Sequence, residues 1–221
     1  DCLLSRGLGD VYKRQDRAIF LDNRDIVMLE RNNISLINFD GDKVNRTPTQ
    51  VAWELGSADK GRYTHFTLKE IYEQSQTIFT SIHQTKPNLE TFCDILAKAE
   101  DVFITGSGTS YHSALLAKHI LSRYSKIRVE SIMSSEFQYS SELLDKNSVL
   151  IAISQSGETA DVLQSVKSAK EKGARVLSIV NVSTSSLARL SDCFLEVKCG
   201  PEIGVAATKS FTSQLSIIYH I

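Results

Sequence analysis

Three stretches of this chain place hydroxyl side chains and glycine directly behind a strand-like apolar run. The densest is Ser154-Gln155-Ser156-Gly157-Glu158-Thr159, which follows Val149-Leu150-Ile151-Ala152-Ile153 and precedes a helical pattern. A helix that starts at the carboxyl end of a buried strand offers free backbone N–H groups and the positive end of its dipole to an anion. Ser154, Ser156 and Thr159 add hydroxyl donors, and Gly157 lets the backbone approach a ligand closely. No lysine stands in the turn, so the triphosphate cradle of a P-loop does not fit, whereas a sugar phosphate does. A plain Ser/Thr cap on a glycine turn is the structural alternative.

The theme recurs at Gly106-Ser107-Gly108-Thr109-Ser110, after Val102-Phe103-Ile104. It could pass for the opening of a dinucleotide fingerprint, with Glu130 as the ribose-binding acid. The third glycine of that pattern would be Tyr111, however, which is too bulky for helix–strand packing. Two hydroxyl-bearing turns are better read as two walls of one polar pocket. A third loop, from Gly200-Pro201-Glu202 through Ile203-Gly204-Val205-Ala206-Ala207-Thr208-Lys209, is a simple strand-to-helix connection if taken alone. His65, His83 and His119 lack partners at metal-ligand spacing and read as surface or satisfied residues, whereas His112 is expected beside the pocket, able to approach substrate but without a catalytic role. Glu158 reads as a helix-dipole partner, Glu202 as a candidate polar contact, and Trp53 and Tyr63 as packing residues.

These turns need a scaffold, and the chain beyond residue 100 supplies one. Strand-like runs at 102–104, 127–133, 149–153, 176–180 and 193–197 alternate with helical patterns at about 111–124, from Thr159 to Lys172, and 211–221. Gly173 sits where the second of these helices should stop. Continuous apolar strands with helices between them predict a doubly wound parallel α/β sheet covered on both faces. Residues 91–221 form this domain. Ahead of it, 51–90 reads as a polar connector turning helical, with Leu68, Ile71, Ile78 and Ile82 at helical spacing and a break at Lys86-Pro87-Asn88. Residues 16–50 read as a small antiparallel meander whose runs are 18–21, 26–29 and 34–39. Alone, such a meander buries too little to be stable. The first fifteen residues show no period and read as a non-native or disordered leader.

Composition narrows the function classes. The 221 residues are 42% hydrophobic and 23% charged, with 25 basic against 26 acidic residues, the balance of an ordinary globular protein. No basic run suggests nucleic acid or an anionic membrane, and no apolar stretch approaches a membrane span. Cys2, Cys93, Cys193 and Cys199 form no C-x-x-C pair, which argues against a zinc site or disulfide framework and fits a reducing, cytoplasmic setting.

Taken together, the segments GSGTSY, SSEF, SQSGETADVL and EIGVAATKSFTSQ resemble the first sugar-isomerase (SIS) domain of the glutamine–fructose-6-phosphate aminotransferase family. FLDNRDIVML and RYTHFTLKEIYEQ resemble the junction where that family's glutaminase domain meets its synthase half. The resemblance spans 16–221. It implies a flavodoxin-like SIS fold, preceded by a β remnant of the glutaminase domain. It also implies that Ser154, Gln155, Ser156 and Thr159 hold the sugar phosphate, that Thr109 and Ser110 line the same site, and that Val205 contributes backbone.

The implied reaction takes fructose-6-phosphate and glutamine to glucosamine-6-phosphate and glutamate. It uses proton transfers on an imine, without metal or organic cofactor, in a homodimer built through SIS domains. The family's catalytic cysteine and proton-shuttling residues fall outside this stretch, so no catalytic residue is assigned and the segment alone is expected to be inactive. Ser107, Ala207 and Ser75 depart from residues common in the family. A SIS-domain sugar-phosphate sensor and a stand-alone sugar-phosphate isomerase are the competing readings. A sensor would carry a basic helix-turn-helix upstream, where 16–50 instead reads as strands.

Overall fold

The computed structural model describes residues 17–19, 21–22, 24–31, 33–50 and 59–221. The expected leader at 1–15, Cys2 within it, and Trp53 lie outside the described residues. The chain divides into two compact units, Asp1–Asp59 and Lys60–Ile221.

In the first unit, β2 (Asp25–Glu30) and β3 (Asn33–Asn38) form an antiparallel hairpin in the register Asp25↔Asn38 to Glu30↔Asn33. The short β1 (Arg17–Ala18) pairs antiparallel with β4 (Thr49–Gln50) rather than with β2, so the expected three-strand meander is a hairpin and a separate strand pair. A polar knot lies between β1 and β2. Asp22 N–H donates to Asp25 Oδ2 (2.9 Å) and Asp25 N–H donates to Asp22 O (3.1 Å). The Arg46 guanidinium bridges both carboxylates, at 2.5 and 3.0 Å.

The second unit is the doubly wound domain. β5 (Asp101–Gly106), β6 (Val129–Met133), β7 (Ser148–Ser154), β8 (Arg175–Val180) and β9 (Cys193–Glu196) form a wholly parallel sheet in the order β6-β5-β7-β8-β9. This is the flavodoxin-like 2-1-3-4-5 order. Strand side chains alternate between faces, and here both faces are covered. Val102, Ile104, Val149, Ile151, Ile153, Leu177 and Ile179 join one core with Phe92, Leu121 and Ile217. Phe103, Leu150, Ala152, Val176 and Val180 join the other with Phe137, Val162, Val166 and Leu187.

Among the described residues, six α-helices frame the sheet: α1 (Phe66–Ile82), α2 (Lys86–Ala97), α3 (Thr109–Tyr124), α4 (Ala160–Glu171), α5 (Ser186–Leu190) and α6 (Lys209–His220). Helix α4 ends as Gly173 requires. At φ 82° its N–H reaches Lys170 O, while Ala174 N–H reaches Ala169 O. The expected break at Pro87 is instead the first turn of α2, where a missing N–H costs no intrahelical bond. No described helix is long and apolar enough to cross a membrane.

Helix α1 forms where its spacing places it but faces the other way. Leu68, Ile71 and Ile78 are exposed, whereas Glu70, Thr77 and Ser81 are buried. Ser81 Oγ donates to Val197 O, and Gln84, just past the helix, donates to Glu196 O at 2.8 Å. The described part of the connector, 60–90, is therefore tied by its polar face into the parallel-sheet unit.

Candidate functional site

The strand order reverses between β5 and β7, and their following helices leave on opposite faces of the sheet. A crevice outside the strand ends results, the usual ligand position in an open α/β sheet. It holds a cavity of about 280 Å³. All seven residues predicted from sequence line it: Thr109 and Ser110 at the start of α3, Ser154 at the end of β7 with Gln155, Ser156 and Thr159 after it, and Val205 on the loop before α6.

Helix termini set the electrostatics. Gly108 caps α3 and Thr159 caps α4, and neither end receives a side-chain cap hydrogen bond. Two positive helix ends, neither with a side-chain cap, thus meet one cavity. The third, that of α6, is already served. Glu202 Oε1 accepts from Thr208 N–H (2.9 Å) and Ser210 N–H (3.2 Å), and Oε2 accepts from Ser210 Oγ. An incoming anion is therefore favoured at the α3 and α4 ends and repelled from the Glu202 side.

The hydroxyls are arranged as donors. Ser154 Oγ accepts from Gly157 N–H at 3.0 Å, and Ser156 Oγ accepts from Glu158 N–H at 3.2 Å. With an oxygen lone pair engaged in each case, the hydroxyl proton remains for a ligand. Thr159 occupies the cap position without making a cap bond, so its hydroxyl is not spent on the helix. Gln214 Nε2 donates to Ser110 Oγ (3.0 Å), while Ser113 Oγ donates to Gln214 Oε1 (2.8 Å). Ser107 and Ser134 share a hydroxyl–hydroxyl bond of 2.5 Å at the rim.

Sequence reasoning missed Ser210 and Gln214, which also line the cavity. Their signal is a polar stripe (Ser210, Ser213, Gln214) at helical spacing, buried in the structure; the helix begins at Lys209, ahead of the expected Phe211, and so takes in Ser210. Glu158 keeps a structural role, though for another helix: its Oε1 accepts from Ser186 N–H (2.7 Å) at the start of α5. His112 is exposed and does not line the cavity. Tyr63 stacks on Tyr72, with ring centroids 5.6 Å apart.

The loop into α6 is anchored where it leaves the sheet. Asn181 Nδ2 donates to Gly200 O (2.8 Å), and its Oδ1 accepts from Cys199 N–H (3.0 Å). Burial pushes the Cys199 thiol up to about 12. Cys199 in the folded chain is therefore expected to resist an alkylating reagent at pH 8, while the half-buried Cys93 and Cys193 react first. Peptide mapping by mass spectrometry reads the order; early loss of the Cys199 peptide would contradict this burial. The same shift removes stability at high pH. The contribution is intact below the ordinary thiol pKa and is lost as pH climbs towards 12, because only the unfolded thiol ionises in that window.

Comparison with known proteins gives concordant results. The family described as SIS domain matches residues 95–221. The glutamine–fructose-6-phosphate aminotransferase (isomerizing) of Thermotoga maritima is 41% identical over 209 residues, covering 91% of this chain and 34% of that protein. Its namesake from Aquifex aeolicus is 42% identical over 206 residues, covering 92% and 34%. The chain thus spans about a third of the length of these curated relatives. Among solved structures, the C-terminal domain of the Francisella tularensis glucosamine-fructose-6-phosphate aminotransferase matches with TM-score 0.68 at 36% identity, covering 73% of this chain and 47% of that one. The sugar isomerase domain of an RpiR transcription factor from Sphaerobacter thermophilus shares the fold alone, with TM-score 0.58, 18% identity, and coverage of 70% and 85%.

Proposed function

The chain belongs to the SIS-domain family, and on that premise we propose that its switch-point cavity binds the phosphate of fructose-6-phosphate for an isomerising glutamine–fructose-6-phosphate aminotransferase. One observation carries the reading: two helix N-termini without side-chain caps and the Ser154, Ser156 and Thr159 hydroxyls converge on one cavity, while Glu202, which also lines it, is bonded to the α6 terminus. The phosphate sits at the 154–159 turn, held by N–H and O–H donors. The sugar carbons then extend towards Ser110, Gln214 and the backbone around Val205. Glu202 is committed to the α6 terminus and so is read as structural rather than as the proton shuttle.

The rest of the proposed activity belongs to other parts of a longer protein. Glutamine is split by a glutaminase domain, of which the described strands of 17–50 are read as the end. Their exposed Leu29, Ile34 and Phe39 suit packing against more of the same domain. Proton transfer on the sugar is assigned to residues outside this chain, and SIS domains pair into a homodimer in a cytoplasmic enzyme. Strand and turn in the described part of 17–50, where a regulator would present a recognition helix, favours this reading over a sensor.

Calorimetric titration tests the binding claim. Fructose-6-phosphate is expected to bind and unphosphorylated fructose is not, because the donors address the phosphate. Equal binding of both sugars, or of neither, would contradict the reading. With fructose-6-phosphate and glutamine supplied together, the chain alone is expected to yield no glucosamine-6-phosphate.

A further inference from the structure

We propose that Glu70, on the helix ahead of the matched family domain, is a positioning residue of this site: its buried carboxylate fixes the Ile203–Gly204 backbone and so presents Val205 to the sugar end of the ligand. The inference rests on the sugar-phosphate reading above and adds to it a residue from outside 95–221.

Glu70 is only 2% exposed. Its Oε1 accepts from Ile203 N–H at 2.6 Å and Gly204 N–H at 3.0 Å, and its Oε2 accepts from Gly204 N–H at 3.2 Å. Burying a carboxylate is costly, and a helix face packed on a protein core would ordinarily carry leucine there. The 200–208 loop supplies the reason for a charge. It has no ladder or helix of its own, so its amides must find side-chain acceptors. Gly204 lies directly on α1: a Cβ there would stand 2.4 Å from Glu70 Oε2 and 2.8 Å from Thr67 Oγ1.

A second grip lies one turn further along α1, where Glu73 Oε2 accepts from Lys209 Nζ at 2.7 Å. Lys209 is itself 3% exposed. The two carboxylates hold the segment at Ile203–Gly204 and at Lys209, and Val205 and Ala207 between these points line the cavity. The inverted burial of α1 follows from this role, since a helix that serves a loop through carboxylates must turn its polar face inward.

The arrangement separates two halves of the ligand. The phosphate cradle belongs to β7 and α4 and does not involve Glu70, whereas the loop held by Glu70 meets the sugar. The test titrates the full 221-residue chain with two probes, inorganic phosphate and fructose-6-phosphate, and records a melt for each variant. Glu70→Ala is expected to lose affinity for fructose-6-phosphate by about tenfold and to keep its phosphate affinity within about twofold. Glu70→Gln retains an Oε1 acceptor and is expected to recover most of the loss. Gly204→Ala, which forces the loop off α1 while leaving Glu70 intact, is expected to show the same selective loss and serves if Glu70→Ala does not melt cooperatively. Unchanged fructose-6-phosphate affinity in either alanine variant would overturn the inference, as would a parallel loss of both probes. Failure of the wild-type chain to bind either probe would instead strike the sugar-phosphate reading itself, and this inference with it.

Discussion

Gly157→Ala is expected to destabilise the second unit by about 2–5 kcal/mol, the sum of a backbone and a packing cost. Gly157 has φ 69°, in the left-handed region where an L side chain is strained. Its Cβ would also fall 2.1 Å from Ser185 Oγ, 2.5 Å from Ser185 Cβ and 2.9 Å from Val180 Cγ2. Ser185 has little room to yield. Its hydroxyl caps α5 by accepting from Ala188 N–H (3.4 Å), and Leu187 N–H of the same helix donates to Gly157 O (3.0 Å). Relief therefore requires moving either the α5 cap or the 154–159 turn, and moving the turn breaks the Ser154–Gly157 hydrogen bond that shapes the cradle. Urea denaturation of wild type and variant measures the difference. A loss below about 1 kcal/mol would mean that the turn is pliable, contrary to its proposed role as a preformed cradle.

What could be read from the sequence, and what could not, follows from where the signals lie. The five strands and the two turns at 106–110 and 154–159 were legible because continuous apolar runs ending in glycine and hydroxyl residues leave few alternatives to a buried parallel sheet. The six expected site residues at 109–110 and 154–159 lie around one cavity for the same reason: strand ends on either side of a switch point are neighbours. The facing of α1 was not legible. Its apolar spacing at Leu68, Ile71 and Ile78 suggested the buried side, yet the buried side carries Glu70, Thr77 and Ser81. Periodicity counts apolar residues and has no term for a loop, more than a hundred residues away in sequence, whose amides need a carboxylate. Gln214 escaped for a related reason, since a glutamine among serines on a helix ordinarily reads as a solvent face. The pairing of β1 with β4 joins segments about thirty residues apart, a tertiary contact that turn propensity does not encode.

If the 154–159 turn binds a phosphate through hydroxyl protons that the fold does not use, Thr159→Val removes one of them with the least disturbance. Valine keeps the shape and β-branching of threonine and removes only the hydroxyl. At an ordinary N-cap the change would cost about 1 kcal/mol of stability. Here the Thr159 side chain makes no cap hydrogen bond, so the melting temperature is expected to stay put. A donor to a charged phosphate oxygen contributes about 1.5–3 kcal/mol, so fructose-6-phosphate affinity is expected to fall roughly tenfold to a hundredfold. Calorimetric titration of wild type and Thr159→Val, each with its melt, gives both numbers. Weakened binding with an unchanged melt is the expected result. Unchanged binding with a lowered melt would make Thr159 a helix cap and nothing more, and would contradict the cradle.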